Sequence, residues 1–190
     1  MPSGRARRRQ FERQQELVKC ITDLAAEVKD IKKRPAKIVK LQELLRAAPY
    51  NQLLHFPPLP LPLDPDVRVV GIVPESVHVF KSAMQPIGLE FKREGGGSYH
   101  VIFKFGDDLR QDQFVLGLLR LFDQLLKREH LDMALTPYHV LATKPSAGMV
   151  ERVTPSRPLS WVFDQYRSDS IRSYLRDEAM AFERAAAAAA

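Results

Sequence analysis

Residues 101–113, Val-Ile-Phe-Lys-Phe-Gly-Asp-Asp-Leu-Arg-Gln-Asp-Gln, set a lysine on a strand, stop the strand at a glycine and open a carboxylate-rich helix. Tyr99, Val101, Phe103 and Phe105 alternate with His100, Ile102 and Lys104, the period of two that marks a strand, which puts Lys104 on the face of Ile102. Gly106 ends the strand. Asp107 or Asp108 can then cap the helix, and Asp112, about one turn in, can reach back toward Lys104. A lysine held in this way meets phosphate oxygens as a point charge. The plain alternative is a surface lysine at an ordinary strand-turn-helix corner.

The elements that must position this lysine follow from the hydrophobic pattern. Val67–Val73 and Ser76–Ser82 alternate as strands broken at Pro74, Gly88–Lys92 gives another, and Glu94–Gly97 reads as a hairpin turn before Tyr99–Phe105. Asp112–Glu129 carries Phe114, Val115, Leu118, Leu119, Phe122 and Leu125 as one broad apolar face, predicting a helix that packs on the sheet and positions Asp112. Tyr138–Thr143 and Met149–Val153 are the last strands, joined by a turn through Lys144, Pro145 and Gly148; Leu159–Phe163 and Ser170–Arg176 read as short helices.

Upstream, Phe11, Leu17, Val18, Ile21, Leu24 and Val28 line one face of a helix over residues 10–31 that Pro35 ends. A second helix spans about Pro35 to Ala48, with proline at its first turn. Pro57, Pro58, Pro60, Pro62 and Pro65, with leucines between them, predict an extended, packed connector rather than a free proline-rich ligand. The fold class is α+β: an antiparallel sheet with a packed helix, preceded by a helical extension.

Charge is unevenly placed. The formal net charge is +6, yet the first 50 residues hold 13 Lys/Arg and 6 Asp/Glu, which leaves 16 and 17 for the rest. Arg5, Arg7, Arg8 and Arg9, then Lys32, Lys33 and Arg34, read first as a solvated helix surface or a contact for an acidic partner, and second as a surface for anionic lipid or nucleic acid. No aromatic side chains sit within these charge runs, so a base-stacking surface is not expected and nucleic acid is set aside as a partner. The single cysteine, Cys20, reads as a buried thiol; His55, His78, His100, His130 and His139 lack metal-ligand spacing, so no metal site is expected. No apolar run approaches about 18 residues and no signal-peptide pattern is present, which leads to the expectation of a soluble, intracellular chain.

Phe103-Lys104-Phe105-Gly106-Asp107-Asp108-Leu109-Arg110-Gln111-Asp112 resembles the lysine-containing motif of the phosphatidylinositol 3- and 4-kinases. Gly71-Ile72-Val73-Pro74-Glu75, Phe80-Lys81-Ser82-Ala83, Leu135-Thr136-Pro137-Tyr138 and Val140-Leu141-Ala142-Thr143 follow the family in order. With Leu61-Pro62-Leu63-Asp64-Pro65 they are similar to the class III phosphatidylinositol 3-kinases, which make phosphatidylinositol 3-phosphate. The resemblance covers residues 55 to 178 and implies a kinase N-lobe.

By that resemblance Lys104 contacts the ATP phosphates and Asp112 pairs with it, while Phe80, Lys81 and Ser82 form a phosphate-covering loop. Tyr138 lies at the back of the nucleotide pocket with Ile102 and Pro86. Met149 and Val150 shape the adenine slot with Ile102, and Glu151 and Val153 offer a backbone carbonyl and amide to adenine, leaving their side chains weakly constrained. Arg152 departs from the apolar or aromatic residue the family pattern implies between them, which leaves the local shape of the pocket open.

The resemblance further implies ATP and Mg²⁺ as cofactors, phosphatidylinositol in a membrane as substrate, a regulatory pseudokinase and a Beclin-type subunit as partners, and a cytoplasmic enzyme peripheral on endosomal and autophagic membranes. Phosphoryl transfer also needs a positioned base and metal ligands, carried in this family by Asp-Arg-His-x-x-Asn and Asp-Phe-Gly; neither string occurs here. The expected organisation is a basic helical extension (1–50), a proline-rich connector (51–66), the N-lobe with its hinge (67–153) and the start of the following segment (154–184). The alanines 185–190 read as residues of unassigned identity or an artefact. On this reading the chain stops shortly after the hinge, holds no catalytic base and is inert alone. Two alternatives stay open: a phosphatidylinositol 4-kinase or another 3-kinase class, and a non-catalytic assembly module.

Overall fold

The computed structural model describes residues 4–166 and 170–188. They divide into two compact units, Met1–Arg152 and Val153–Ala190.

The first unit is built on an antiparallel sheet of seven strands: β1 (Leu59–Pro60), β2 (Arg68–Ile72), β3 (His78–Val79), β4 (Ile87–Arg93), β5 (Ser98–Phe105), β6 (Val140–Lys144) and β7 (Ala147–Glu151). Their order is β1-β2-β4-β5-β7-β6, and the short β3 pairs with the start of β4. The strand expected over Ser76–Ser82 shrinks to two residues because Pro74–Ser76 forms a 3-10 turn first. Gly96 and Gly97 take the left-handed backbone of the β4–β5 turn, with φ of 91° and 76°, where a side chain would be strained. β1 confirms the packed connector: Leu59, Leu61 and Leu63 are buried, and Pro60, which cannot donate to a ladder, stands on the edge strand.

Two helices, α1 (Gly4–Glu27) and α2 (Arg34–Arg46), lie against the sheet. The helical extension is therefore not set apart. Leu24, Val28 and Leu41 share one hydrophobic cluster with Phe91, Val101 and Phe103. The alternation in β5 explains this: its Val101 and Phe103 side is fully buried under the helices, while Ile102 and Lys104 occupy the opposite, part-exposed face. α1 starts six residues earlier than the apolar period and stops at a turn after Glu27, before Pro35 is reached.

The helix α3 (Arg110–Arg128) follows β5. It packs on the sheet, as expected, but through a narrow contact: among its residues only Leu116 is buried, beside Leu109 and Val140, whereas Phe114 is 65% exposed and Leu118, Leu121, Phe122 and Leu125 are exposed too. α3 meets β6, the outermost strand, so most of its apolar stripe has no sheet to cover it.

In the second unit, α4 (Leu159–Gln165) and α5 (Ser170–Ala188) are joined by edge-on contacts of Trp161 and Tyr166 with Tyr174, centroids 6.1 and 6.0 Å apart. α5 runs past the expected Arg176, as its alanine-rich end has the highest helix propensity.

Because Leu24 lies in the same core as the sheet, Leu24→Ala is expected to destabilise the whole first unit by about 2–5 kcal/mol in a single denaturant transition. Loss of helical signal alone, with the sheet melting unchanged, would mean that the extension is independent of the sheet.

Candidate functional site

The face of the sheet opposite the helices is organised by register. Gly88 pairs with Ile102 and Ile102 with Val150; one step toward the strand end, Lys104 pairs with Gly148. His78 lies opposite Gly88, and a Cβ at Gly88 would come within 2.1 Å of the His78 ring, so glycine is what lets that ring lie on the sheet. His78 in turn packs edge-on against Phe80 at 4.6 Å between centroids. The result is an apolar strip along this face, the trough, with Ile102 and Val150 side by side and His78 and Phe80 at one edge.

The loop that resembles a phosphate cover is the β3–β4 connection. Phe80 N donates to Pro86 O (3.0 Å), closing the loop at its base, and Gln85 N donates to Ser82 O (3.2 Å) within it. Lys81 and Ser82 are exposed at its tip. Pro86, opposite Phe80 across the loop base, also lines a cavity with Phe103 and Phe105.

Lys104 extends from the trough's end and is part-exposed. Its partner is Asp107, Nζ to Oδ2 at 2.9 Å, and not the expected Asp112, which is exposed in the first turn of α3. The turn at Gly106 (φ 89°) folds Asp107 straight back over β5, while α3 carries Asp112 away with it. Asp108 serves the helix instead, its Oδ1 accepting the amide of Arg110 (3.1 Å) at the helix start. Hydrogen bonds from the Arg110 guanidinium and amide hold the Asp108 carboxyl down at about 2.

Met149 is also corrected. It pairs with Phe103 on the helix side and is fully buried in that core, so of the two expected slot residues only Val150 reaches the trough. Tyr138 lies two residues before Val140, more than a third exposed, its carbonyl accepting from Arg120 Nη2 at 3.1 Å. Val153 begins the second unit.

Two residues do more than the sequence indicated. The carboxylate of Glu151 accepts both the amide of His139 (2.8 Å) and a contact from its Nδ1 (2.7 Å). Because the side chain takes that amide, His139 N does not donate to the Glu151 main-chain carbonyl, although the Glu151 amide still donates to His139 O (2.8 Å). The side chain of Glu151 thus takes the place of its own main-chain carbonyl as acceptor for the His139 amide. Tyr99 is half-buried close to this pair, with its phenol oxygen shielded from solvent; burial first, then the carboxylates of Glu151 and Asp64, push that phenol well above the usual range. Arg152, the departure from the family pattern, sets its guanidinium 5.9 Å from the centre of the Phe80 ring and so joins the end of β7 to the β3–β4 loop as a cation–π contact. The strand parity that puts residue 152 on the face of Ile102 was readable in the sequence; its reach to Phe80 was not.

Among the described residues no group of three or more His, Cys, Asp or Glu comes together as a metal site, so no metal-dependent step is assigned to them.

Residues 98–188 match the model of the family described as phosphatidylinositol 3- and 4-kinase. The chain is 51% identical over 144 residues to the phosphatidylinositol 3-kinase pik3 of Schizosaccharomyces pombe, covering 76% of this chain and 18% of the relative. It is 44% identical over 166 residues to the root isoform of a phosphatidylinositol 3-kinase of Glycine max and 44% over 167 residues to the phosphatidylinositol 3-kinase VPS34 of Arabidopsis thaliana, each match covering 86% of this chain and 20% of the relative. The chain spans about a fifth of the length of these relatives.

Glu151→Ala is expected to speed amide exchange at His139 by about tenfold or more while β5 keeps its protection. Unchanged exchange at His139 would show that the Glu151 carboxylate does not hold that amide.

Proposed function

We propose that this chain, a member of the phosphatidylinositol 3- and 4-kinase family, supplies the ATP-binding lobe of an enzyme that phosphorylates phosphatidylinositol on its 3-hydroxyl. The observation that carries the reading is Lys104: a cation at the open end of an apolar trough, 2.9 Å from a single carboxylate, with neither partner buried. An exposed ion pair of this kind is worth about 0–1 kcal/mol, so a polyphosphate of higher charge displaces Asp107 at little cost. Lys104 then rests on the phosphates and offsets the charge that grows on them as the γ-phosphoryl group leaves.

The remaining residues serve position. Ile102 and Val150 offer the apolar floor for adenine, and the main-chain carbonyl of Glu151 accepts from its exocyclic amine. Lys81 and Ser82 bring the loop tip over the phosphates, and the contact of Arg152 with Phe80 sets how far that loop stands open. ATP supplies the transferred phosphoryl group. The family implies a divalent metal; we take it to be Mg²⁺, with ligands and catalytic base supplied outside the described residues. The 3-hydroxyl is chosen because the relatives carry the name phosphatidylinositol 3-kinase.

No helix among the described residues is long and apolar enough to cross a membrane. Peripheral action on endosomal and autophagic membranes in vesicle trafficking, in a complex with a regulatory pseudokinase and a Beclin-type subunit, completes the proposal, and co-purification of the intact protein tests it.

In the intact protein, Lys104→Met is expected to lower kcat/KM for ATP by about 10²–10³, with the fold unchanged by circular dichroism. Retention of full lipid kinase activity by this variant would overturn the assignment.

A further inference from the structure

A second polar site lies on the other side of the sheet from Lys104. Where α1 turns into α2, a cavity of about 340 Å³ opens between the two helices and the β3–β4 loop, with Phe103 and Phe105 at its base. Lys29, Lys32 and Lys37 line it, against one carboxylate, Asp30. Lys37 is the unusual member: it is a buried lysine, only 5% exposed, and its Nζ donates to one neutral acceptor, Gln85 Oε1, at the long distance of 3.5 Å. No ion pair to Lys29, Lys32 or Lys37 is found among the described residues. Burial first, then the neighbouring charge of Lys32, lowers the Lys37 pKa, and Asp30 is the one carboxylate set against the three ammoniums of the cavity lining.

The start of α2 adds to this field. Lys33 caps the helix with no side-chain hydrogen bond, and its first turn holds no acidic residue, so the positive end of the helix is left without the anion that usually occupies it. A buried ammonium and two exposed ammoniums, set around an open cavity that holds one carboxylate, form a cradle with positive charge in excess.

We infer that this cavity binds a phosphate-bearing anion of more than one charge, either the headgroup of a phosphorylated inositol lipid or a free inositol phosphate. Gln85 transmits its occupancy: this residue contacts Lys37 through Oε1 and donates from Nε2 to Lys32 O (2.9 Å), and it belongs to the loop whose other end, Phe80 to Ser82, faces the trough. An anion that draws Lys37 away from Gln85 loosens the loop on the nucleotide side.

The test is titration calorimetry of the intact protein with inositol hexakisphosphate and with inorganic phosphate, beside flotation with phosphatidylcholine vesicles with and without phosphatidylinositol 4,5-bisphosphate. Saturable binding is expected that Lys37→Met, and separately Lys29→Ala with Lys32→Ala, each weakens at least about tenfold. Lys40→Ala, on α2 outside the cavity, should leave the affinity unchanged. Binding of the soluble probe alone identifies a free inositol phosphate as the ligand, and lysine-dependent flotation identifies the lipid. Should Lys37→Met fail to fold, the exposed pair Lys29→Ala with Lys32→Ala decides. Absence of saturable binding, equal loss with Lys40→Ala, or loss with Lys104→Met but not with the cavity lysines would each overturn the inference.

Discussion

The hydrogen-bonded ladder of β4, β5 and β7 is the constraint on which the rest of the molecule depends. Once Ile102 is paired with Gly88 on one side and Val150 on the other, alternation sends Val101 and Phe103 into the core and Ile102 and Lys104 out of it. A slip of one residue would exchange the two sets, burying the lysine and exposing Phe103. The burial of Phe91 and Phe103, each stabilising by roughly 1.5–3 kcal/mol, therefore fixes the chemistry on the opposite face. Core and site are two sides of one strand.

The helices α1 and α2 complete this arrangement. They cover the apolar side, and their turn reaches the β3–β4 loop, where Gln85 joins them: Arg34 Nε donates to Val79 O (3.1 Å) and Gln85 Nε2 to Lys32 O (2.9 Å). The basic residues of the first 50 are thus not all a solvated surface. Lys37 is buried against the loop, while Arg46 pairs with Glu75 at 2.7 Å across to the 3-10 turn before β3.

Much of this was legible in the residues. The period of two over Tyr99–Phe105 and the glycines at 106 and 96–97 specify a strand and its turns through local sterics, and the structure has both. The same period put Lys104 on the face of Ile102, where the structure has it. What failed depended on distances that no spacing encodes. Asp107 and Asp112 are both near Lys104 in sequence, and only the turn at Gly106 selects the former. Met149 and Val150 are adjacent, and only the register with β5 decides which is core. The apolar stripe of α3 signalled burial, yet a stripe cannot say what buries it, and in the described residues most of it meets only the outermost strand. The two roles that sequence reasoning missed, the Glu151 side chain accepting the His139 amide and Arg152 bridging to Phe80, arise between residues far apart in the chain.

The central claim is that a nucleotide lies on the Ile102 face with its phosphates on Lys104. A crystal structure of the intact protein with a non-hydrolysable ATP analogue tests it most directly. Adenine is expected over Ile102 and Val150 at the Glu151 carbonyl, with Lys104 turned from Asp107 to a phosphate oxygen at about 2.7–2.9 Å. A nucleotide bound elsewhere, with Lys104 still closed on Asp107, would contradict it.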